Sequence, residues 1–140
     1  SDSRSLVAPK HLRKAFEPHY WIIPVNLKYY DIGEEFSANE EILWTQKASM
    51  QKGDLVAIYL TAPTKAIRYV CQVLEANIPN QGYREEASIK ELMRIKPLYT
   101  FNDTEFDSER LKSLGIKTVR GPRHMTEELV QALSPYLKEK

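Results

Sequence analysis

A nearly continuous apolar run from Leu55 to Leu60 is the feature that most constrains the fold of this chain. Lys52-Gly53-Asp54 precedes it, and Gly-Asp is typical of a tight turn that leads into a strand. A short apolar run bounded by turn residues predicts a buried β-strand. The chain is therefore expected to fold around a sheet that covers this strand.

Other segments with β-propensity or period-2 alternation surround this run. Further strands are predicted at 19–25, 42–44, 66–76 and 88–101. Short helices are predicted at 29–36, 108–114 and 126–134, with Thr126 as the N-cap of the last one. The pattern predicts an α+β domain with a small curved or barrel-like mixed or antiparallel sheet of five or six strands.

Length and charge limit the possible functions. The 140 residues suit one domain, which we place at 19–140, after a linker or N-terminal extension at 1–18 that contains a short basic helix at 10–16. The formal net charge is +1, so the chain lacks the basic excess of a protein that coats nucleic acid without specificity. Any contact with nucleic acid must come from a local patch.

The single cysteine, Cys71, lies in an apolar strand-like run and predicts a buried thiol. Without a second cysteine it forms no intramolecular disulfide, which suits a reducing compartment and predicts a cytoplasmic protein. No apolar run approaches the roughly 20 residues of a membrane helix. The opening Ser1-Asp2-Ser3-Arg4-Ser5 is typical of a linker and suggests one module of a larger protein.

The usual catalytic arrangements are missing from the sequence. Adjacent carboxylates such as Glu34-Glu35 point in different directions and indicate solvated faces. The three histidines are widely separated, with no partner at metal-ligand spacing, and the five glycines form no phosphate loop. We therefore expect no metal, no cofactor and no enzymatic activity.

Aromatic and amide side chains offer a more specific signal. Trp44 and Tyr59 lie where predicted strands meet loops, and rings fixed on strands suit the stacking of a flat base. Burial in the core is an equally good interpretation of either ring. Asn26 directly follows the first strand, where its amide either offers a donor and an acceptor to a base edge or caps a turn.

Basic residues form two further candidate groups. Arg120-Gly121-Pro122-Arg123-His124 places two guanidinium groups around a stiff turn before a predicted helix, which suits a phosphate clamp, with a solvated loop as the alternative. In the strand at 88–101, alternation predicts one apolar side and one basic side. The apolar side would hold Ile89, Met93, Ile95, Tyr99 and Phe101, and the basic side Lys90, Arg94 and Lys96.

Together these segments resemble the EVE domain of the PUA-like superfamily, whose relatives include YTH domains. The matching segments are Tyr20-Trp21-Ile22-Ile23, Trp44, Lys52-Gly53-Asp54, Ile58-Tyr59, 67–73 and Arg120-Gly121-Pro122-Arg123 before a helix at Thr126. The resemblance spans 20–133. It implies a sheet carrying a cleft that accepts one modified base, often extruded from a nucleic-acid strand.

The resemblance also implies roles for individual residues. Asn26 and Thr45 match positions that read the base edge, and Trp44 and Tyr59 match the walls of an aromatic cage. The basic residues Arg94, Lys96, Arg120, Arg123 and His124 would then contact the backbone. The chain departs from the common pattern at Pro24-Val25-Asn26 and Thr45-Gln46-Lys47, which leaves the identity of the base open.

The sequence thus predicts a non-catalytic DNA-binding module that flips a modified base into this cage. The candidate bases are 5-methylcytosine, 5-hydroxymethylcytosine and N6-methyladenine. Relatives of this kind serve modification-dependent restriction, so a fused nuclease or nucleotide-driven motor is the expected partner. A PUA-like reader of modified RNA and a protein-interaction module are the alternatives.

Overall fold

A computed structural model describes residues 17–137, which contain six strands, three short α-helices and one 3₁₀ turn. The strands are β1 (Tyr20–Val25), β2 (Ile42–Gln46), β3 (Leu55–Leu60), β4 (Ala66–Pro79), β5 (Glu91–Thr100) and β6 (Arg123–His124). The helices are α1 (Ile32–Ala38), α2 (Ser108–Ser113) and α3 (Glu127–Leu133), followed by the 3₁₀ turn Ser134–Tyr136. The predicted helix at 10–16 and most of the predicted linker lie outside the described residues.

All six strands form one mixed sheet in the order β2-β5-β4-β3-β1-β6. β1 pairs in parallel with β3, and the other neighbours pair antiparallel. The sheet is not closed, since β2 and β6 are its two edges. The predicted α+β class and six-strand mixed sheet are confirmed, and β3 has the predicted bounds.

Each face of the sheet carries its own hydrophobic core. The cavity-side core is named for the cavity described below and contains Trp21, Ile23, Val25, Ile32, Ile42, Trp44, Met50, Val56, Ile58, Leu60, Cys71, Val73, Met93 and Ile95. The helix-side core contains Ile22, Ala57, Ile67, Val70, Phe101, Phe106, Leu111, Ile116, Leu129 and Leu133. Strand β3 therefore sends alternate side chains into two cores, which explains its nearly continuous apolar sequence.

A bulge decides which residues of β5 share a face. Leu98 is an extra residue on β5 that faces no partner on β4. An extra residue moves the following side chains to the opposite face of a sheet. Met93 and Ile95 accordingly join the cavity-side core, whereas Tyr99 and Phe101 pack in the helix-side core. The prediction of a single apolar side for this strand is therefore wrong.

Helix boundaries follow local capping. Thr126 Oγ1 accepts a hydrogen bond from the Leu129 amide at 3.1 Å, as predicted for the N-cap of α3. Helix α2 ends before Gly115, whose φ of +90° suits glycine. Helix α1 begins at Ile32 rather than at the predicted residue 29, because Asp31 Oδ1 accepts from the Glu34 amide at 3.0 Å and caps it.

Cys71 is fully buried, as predicted, and its burial raises the pKa of the thiol. Among residues 17–137, no helix is long and apolar enough to cross a membrane. The same residues contain no group of three or more His, Cys, Asp or Glu side chains placed to hold a metal ion.

Candidate functional site

A cavity of about 460 Å³ opens on the cavity-side face of the sheet, beside the carboxyl end of β1. Its volume lies within the roughly 300–1,000 Å³ that is usual for small-molecule sites. The lining residues come from the end of β1, the turn after it, the β2 region, the end of β3 and the loop before β6. They are Ile23, Pro24, Val25, Asn26, Tyr30, Trp44, Thr45, Lys47, Met50, Thr61, Val119, Arg120, Gly121 and Pro122.

The cavity lies beside the part of β1 that does not pair with β6. Strand β6 pairs only with Trp21 and Ile22, so the following residues of β1 face the loop 119–122 rather than a strand. Pro24, which has no amide hydrogen to donate, lies in this part of β1 that has no β6 partner but still pairs with β3. Pairing with β6 therefore stops where the cavity begins.

Trp44 forms the aromatic wall of the cavity. Its side chain is only 5% exposed, and the ring of Tyr30 meets it edge-on, with 5.9 Å between centroids. The Arg84 guanidinium lies 5.1 Å from the Trp44 ring and is not part of the cavity lining, so it supports the ring from outside the cavity. Arg84 is itself placed by Glu35, 3.6 Å from its Nη2. The two rings form a corner rather than two parallel walls.

Asn26 lines the cavity and caps a turn at the same time. Its Oδ1 accepts a hydrogen bond from the Lys28 amide at 2.9 Å, so the carbonyl half of the side chain is engaged. Within residues 17–137, its Nδ2 amino group has no hydrogen-bond partner. The turn-cap interpretation is therefore confirmed, and the group of Asn26 left for a ligand is a donor.

Thr61 is a lining residue that the sequence interpretation missed. It directly follows β3, and its amide donates to the Val25 carbonyl at 3.0 Å, which sets it beside Asn26 at the carboxyl ends of two parallel strands. Thr61 Oγ1 is buried and has no hydrogen-bond partner among the described residues. Buried hydroxyls are normally paired, so this hydroxyl is a candidate partner for a polar ligand atom. The Thr61 side chain would turn to meet that atom, because Oγ1 has almost no accessible surface. The sequence signal that could have identified Thr61 is its position directly after the apolar run Leu55–Leu60.

Two cationic side chains reach the cavity. Arg120 and Lys47 are exposed lining residues, one in the loop 119–122 and one just after β2. Neither has an ion-pair partner among the described residues. They give a largely neutral cavity two cations at its mouth, where an anionic group of a bound ligand would remain in contact with water.

Tyr59 does not belong to this site. Val56, Ile58 and Leu60 of β3 point to the cavity-side core, whereas Tyr59 points to the opposite face and packs against the helix-side core. Its burial there raises the pKa of the phenol. A cage of Trp44 and Tyr59 is therefore wrong, because a sheet separates the two rings. The ring that lines the cavity beside Trp44 is Tyr30.

Arg123 and His124 lie beside the cavity region but outside its lining. Arg123 donates from Nε to the His124 carbonyl at 3.3 Å and from Nη1 to the Thr118 carbonyl at 3.4 Å, which braces its own loop. The His124 ring stacks on Trp21 with 4.0 Å between centroids. The predicted clamp thus divides: Arg120 lines the cavity, and the other two residues hold the loop and the edge strand.

Arg94 and Lys96 lie on the other face of β5, because they alternate with Met93 and Ile95 of the cavity-side core. Arg94 Nε is 3.7 Å from a Glu75 oxygen and 3.9 Å from a Glu41 oxygen. These two residues therefore do not line the cavity, and their contact with a nucleic-acid backbone stays a prediction.

The Gly53-Asp54 turn has a structural role rather than a place in the cavity. The buried Asp54 carboxylate accepts hydrogen bonds from the Trp21 indole at 2.9 Å and from the amides of His19 and Gln51 at 3.0 and 2.9 Å. These bonds join the start of β1 to the turn before β3. They fix the parallel pair whose other end forms the cavity.

No protein-family model matches the chain, and no curated protein sequence does. Solved structures do match in fold. The YTH domain-containing protein mmi1 in complex with RNA has a TM-score of 0.60 and 13% identity, over 86% of this chain and 82% of that one. A hypothetical protein from Leishmania major gives 0.61 and 13%, over 86% and 95%. An ASCH protein from Zymomonas mobilis gives 0.56 and 10%, over 88% and 99%.

ASCH and YTH domains are PUA-like folds, so these matches confirm the predicted PUA-like fold. The narrower assignment to EVE domains is not tested by them and stays a prediction.

Proposed function

We propose that this chain is a non-catalytic nucleic-acid-binding module that reads one modified base in the cavity beside β1. The observation that carries the proposal is the buried Thr61 hydroxyl, which has no hydrogen-bond partner within residues 17–137 and belongs to a residue that lines the same cavity as Trp44. A flat apolar wall with unpaired polar groups at its side suits a heteroaromatic ring. The RNA complex of a structurally similar YTH protein supports nucleic acid as the source of that ring.

The energetics require more than stacking. Extruding a base costs a few kcal/mol, and stacking on an aromatic side chain returns roughly 1–3 kcal/mol. Hydrogen bonds to the base edge must supply the difference. Asn26 Nδ2 donates, and Thr61 Oγ1 donates or accepts. Thr45 follows Trp44 on β2, so its side chain points to the other face and only its backbone can offer the cavity a polar contact. A methyl group on the base would lie against apolar lining such as Val25 and Met50.

Modified DNA is the ligand that we favour, on the resemblance to EVE domains. The candidate modifications are 5-methylcytosine, 5-hydroxymethylcytosine and N6-methyladenine. In this role the module would give specificity to a modification-dependent restriction protein, with a nuclease or nucleotide-driven motor as the fused partner. Phosphates flanking the base would meet Arg120 and Lys47 at the mouth of the cavity.

Modified RNA is the second candidate, and the RNA complex of the YTH protein specifically favours it. The two ligands differ in strandedness, because RNA readers bind unpaired bases whereas a reader of genomic modifications must extract the base from a duplex. The cavity itself accepts a base from either source.

Binding to a matched panel tests the proposal. Fluorescence anisotropy would compare duplexes of one sequence that carry plain cytosine, 5-methylcytosine, 5-hydroxymethylcytosine, plain adenine or N6-methyladenine, together with single-stranded RNA that carries adenine or N6-methyladenine. We expect at least one modified probe to bind roughly tenfold or more tightly than its plain counterpart, as one recognised methyl group allows. Equal affinity for every modified and plain pair would refute base reading.

A further inference from the structure

Three consecutive residues at the rim of the cavity are exposed to solvent. Leu27, Lys28 and Tyr29 form a turn, here called the rim turn, between the lining residues Asn26 and Tyr30. Leu27 is 45% exposed and Tyr29 is 68% exposed. Within residues 17–137, neither packs into either hydrophobic core. Two exposed apolar side chains in one turn beside a cavity offer a ligand a contact surface.

The rim turn is rigid, although it is exposed. The Asn26 carbonyl accepts from the amides of Tyr29 and Tyr30 at 3.0 and 3.1 Å, and Asn26 Oδ1 accepts from the Lys28 amide at 2.9 Å. Three backbone amides are thereby fixed by one residue that also lines the cavity. A pre-organised turn presents its side chains with little loss of conformational entropy on binding.

The side chains of the rim turn match the chemistry of a nucleic-acid strand. The Lys28 Nζ lies 5.7 Å from the centroid of the Tyr29 ring, which puts a cation beside an exposed ring. A base and its phosphate have the same side-by-side arrangement, with a π-face to stack and an anion to pair. Proteins that unstack bases often insert apolar side chains into the gap.

We propose that the rim turn engages the nucleotide next to the base in the cavity: Tyr29 stacks on the neighbouring base, Leu27 fills the space left by extrusion, and Lys28 pairs with the intervening phosphate. This inference rests on the proposed function and adds a second contact to it. The cavity reads the modification, and the rim turn holds the flanking strand in the extruded geometry.

The test separates the free modified nucleoside from the strand that contains it. Binding of Tyr29→Ala and Leu27→Ala would be measured against the best modified probe of the panel, and against the corresponding free nucleoside. We expect Tyr29→Ala to bind the oligonucleotide roughly 5- to 100-fold more weakly, the range for loss of one stacked base, with nucleoside affinity unchanged. Tyr29→Phe keeps the ring and should bind like the native protein.

A matched control is available in Tyr83. It is also exposed, at 54%, and has the Arg84 guanidinium 5.3 Å from its ring, but it does not line the cavity. Tyr83→Ala should leave oligonucleotide affinity unchanged. Equal oligonucleotide affinity for Tyr29→Ala and the native protein would overturn the role of the rim turn while leaving base reading in place. Failure of the native protein to prefer any modified probe would instead refute the proposed function, and the rim-turn assignment with it.

Discussion

The two faces of the sheet both carry aromatic rings, but they pack them differently, and the cavity that holds Trp44 opens on one face. On the helix side, Tyr99, Phe101, Phe106 and Tyr136 pack against one another with centroids 4.6 to 6.4 Å apart. On the cavity side, Trp44 meets Tyr30 at 5.9 Å, with an opening of about 460 Å³ beside it. Aromatic content alone therefore does not identify a binding site.

Coverage by helices explains the difference between the faces. Helices α2 and α3 and the 3₁₀ turn place Leu111, Leu129, Leu133 and Tyr136 over the helix side, so the rings there fill a closed core. The cavity side receives the short α1, which buries Ile32, and otherwise loops. Loops close a face less completely than helices, and polar side chains such as Thr61 remain beside the rings.

The largest expected effect is a loss of stability from a substitution in the helix-side core. Phe101→Ala removes a ring that is 2% exposed and that contacts three other rings, so we expect a loss of about 3–5 kcal/mol in the free energy of unfolding. Urea unfolding would measure it. Affinity of the folded fraction for the modified probe should not change. A parallel loss of affinity would show that the two faces are not independent.

A matched pair of aromatic substitutions compares the faces directly. Trp44→Ala should weaken binding of the modified probe roughly 5- to 100-fold and remove the preference over plain nucleic acid, because it deletes the stacking surface. Tyr59→Ala should destabilise the fold without affecting affinity, since Tyr59 lies on the other face. Anisotropy titrations, run below the unfolding midpoint of each variant, would check both. If Tyr59→Ala lost base discrimination and Trp44→Ala kept it, Tyr59 rather than Trp44 would contact the base.

Thr61→Val tests whether the orphan hydroxyl serves a ligand. The substitution removes a buried polar group that has no partner in the described part of the chain, so the free energy of unfolding should stay equal or rise by up to about 1 kcal/mol. Affinity for the modified probe should fall about tenfold, the value of one hydrogen bond to a ligand. A variant that loses stability and keeps its affinity would assign the hydroxyl to the fold.

The smallest effect should come from charge at the cavity mouth. Arg120→Ala should weaken binding of modified and plain probes alike and lower the slope of log affinity against log salt by about 1. Arg94→Ala is the control, because Arg94 lies on the opposite face between Glu41 and Glu75. Titrations at several salt concentrations would measure the slopes. A larger change in slope for Arg94→Ala than for Arg120→Ala would show that the nucleic acid binds on the opposite face of the sheet.

Much of the fold followed from local sequence. The bounds of β3, the Thr126 cap and the Gly115 stop depend on residues close together in the chain, and all three match the structure. Among the predicted site residues, Asn26 follows the end of β1 and Trp44 lies in the middle of β2, and both line the cavity; their roles in reading a base stay predictions. Thr61 and Tyr30 were missed, because each becomes a lining residue only through contacts with distant segments.

The sequence by itself determined that this chain forms an α+β sheet domain, since apolar alternation, turn residues and caps act over a few positions. Only the tertiary structure decided which face each aromatic ring occupies. Alternation gives the relative sides of neighbours within one strand but not the side of one strand relative to another, and an extra residue such as Leu98 reverses it without a strong sequence signal. The partnership of Trp44 with Tyr30, rather than with Tyr59, is the consequence.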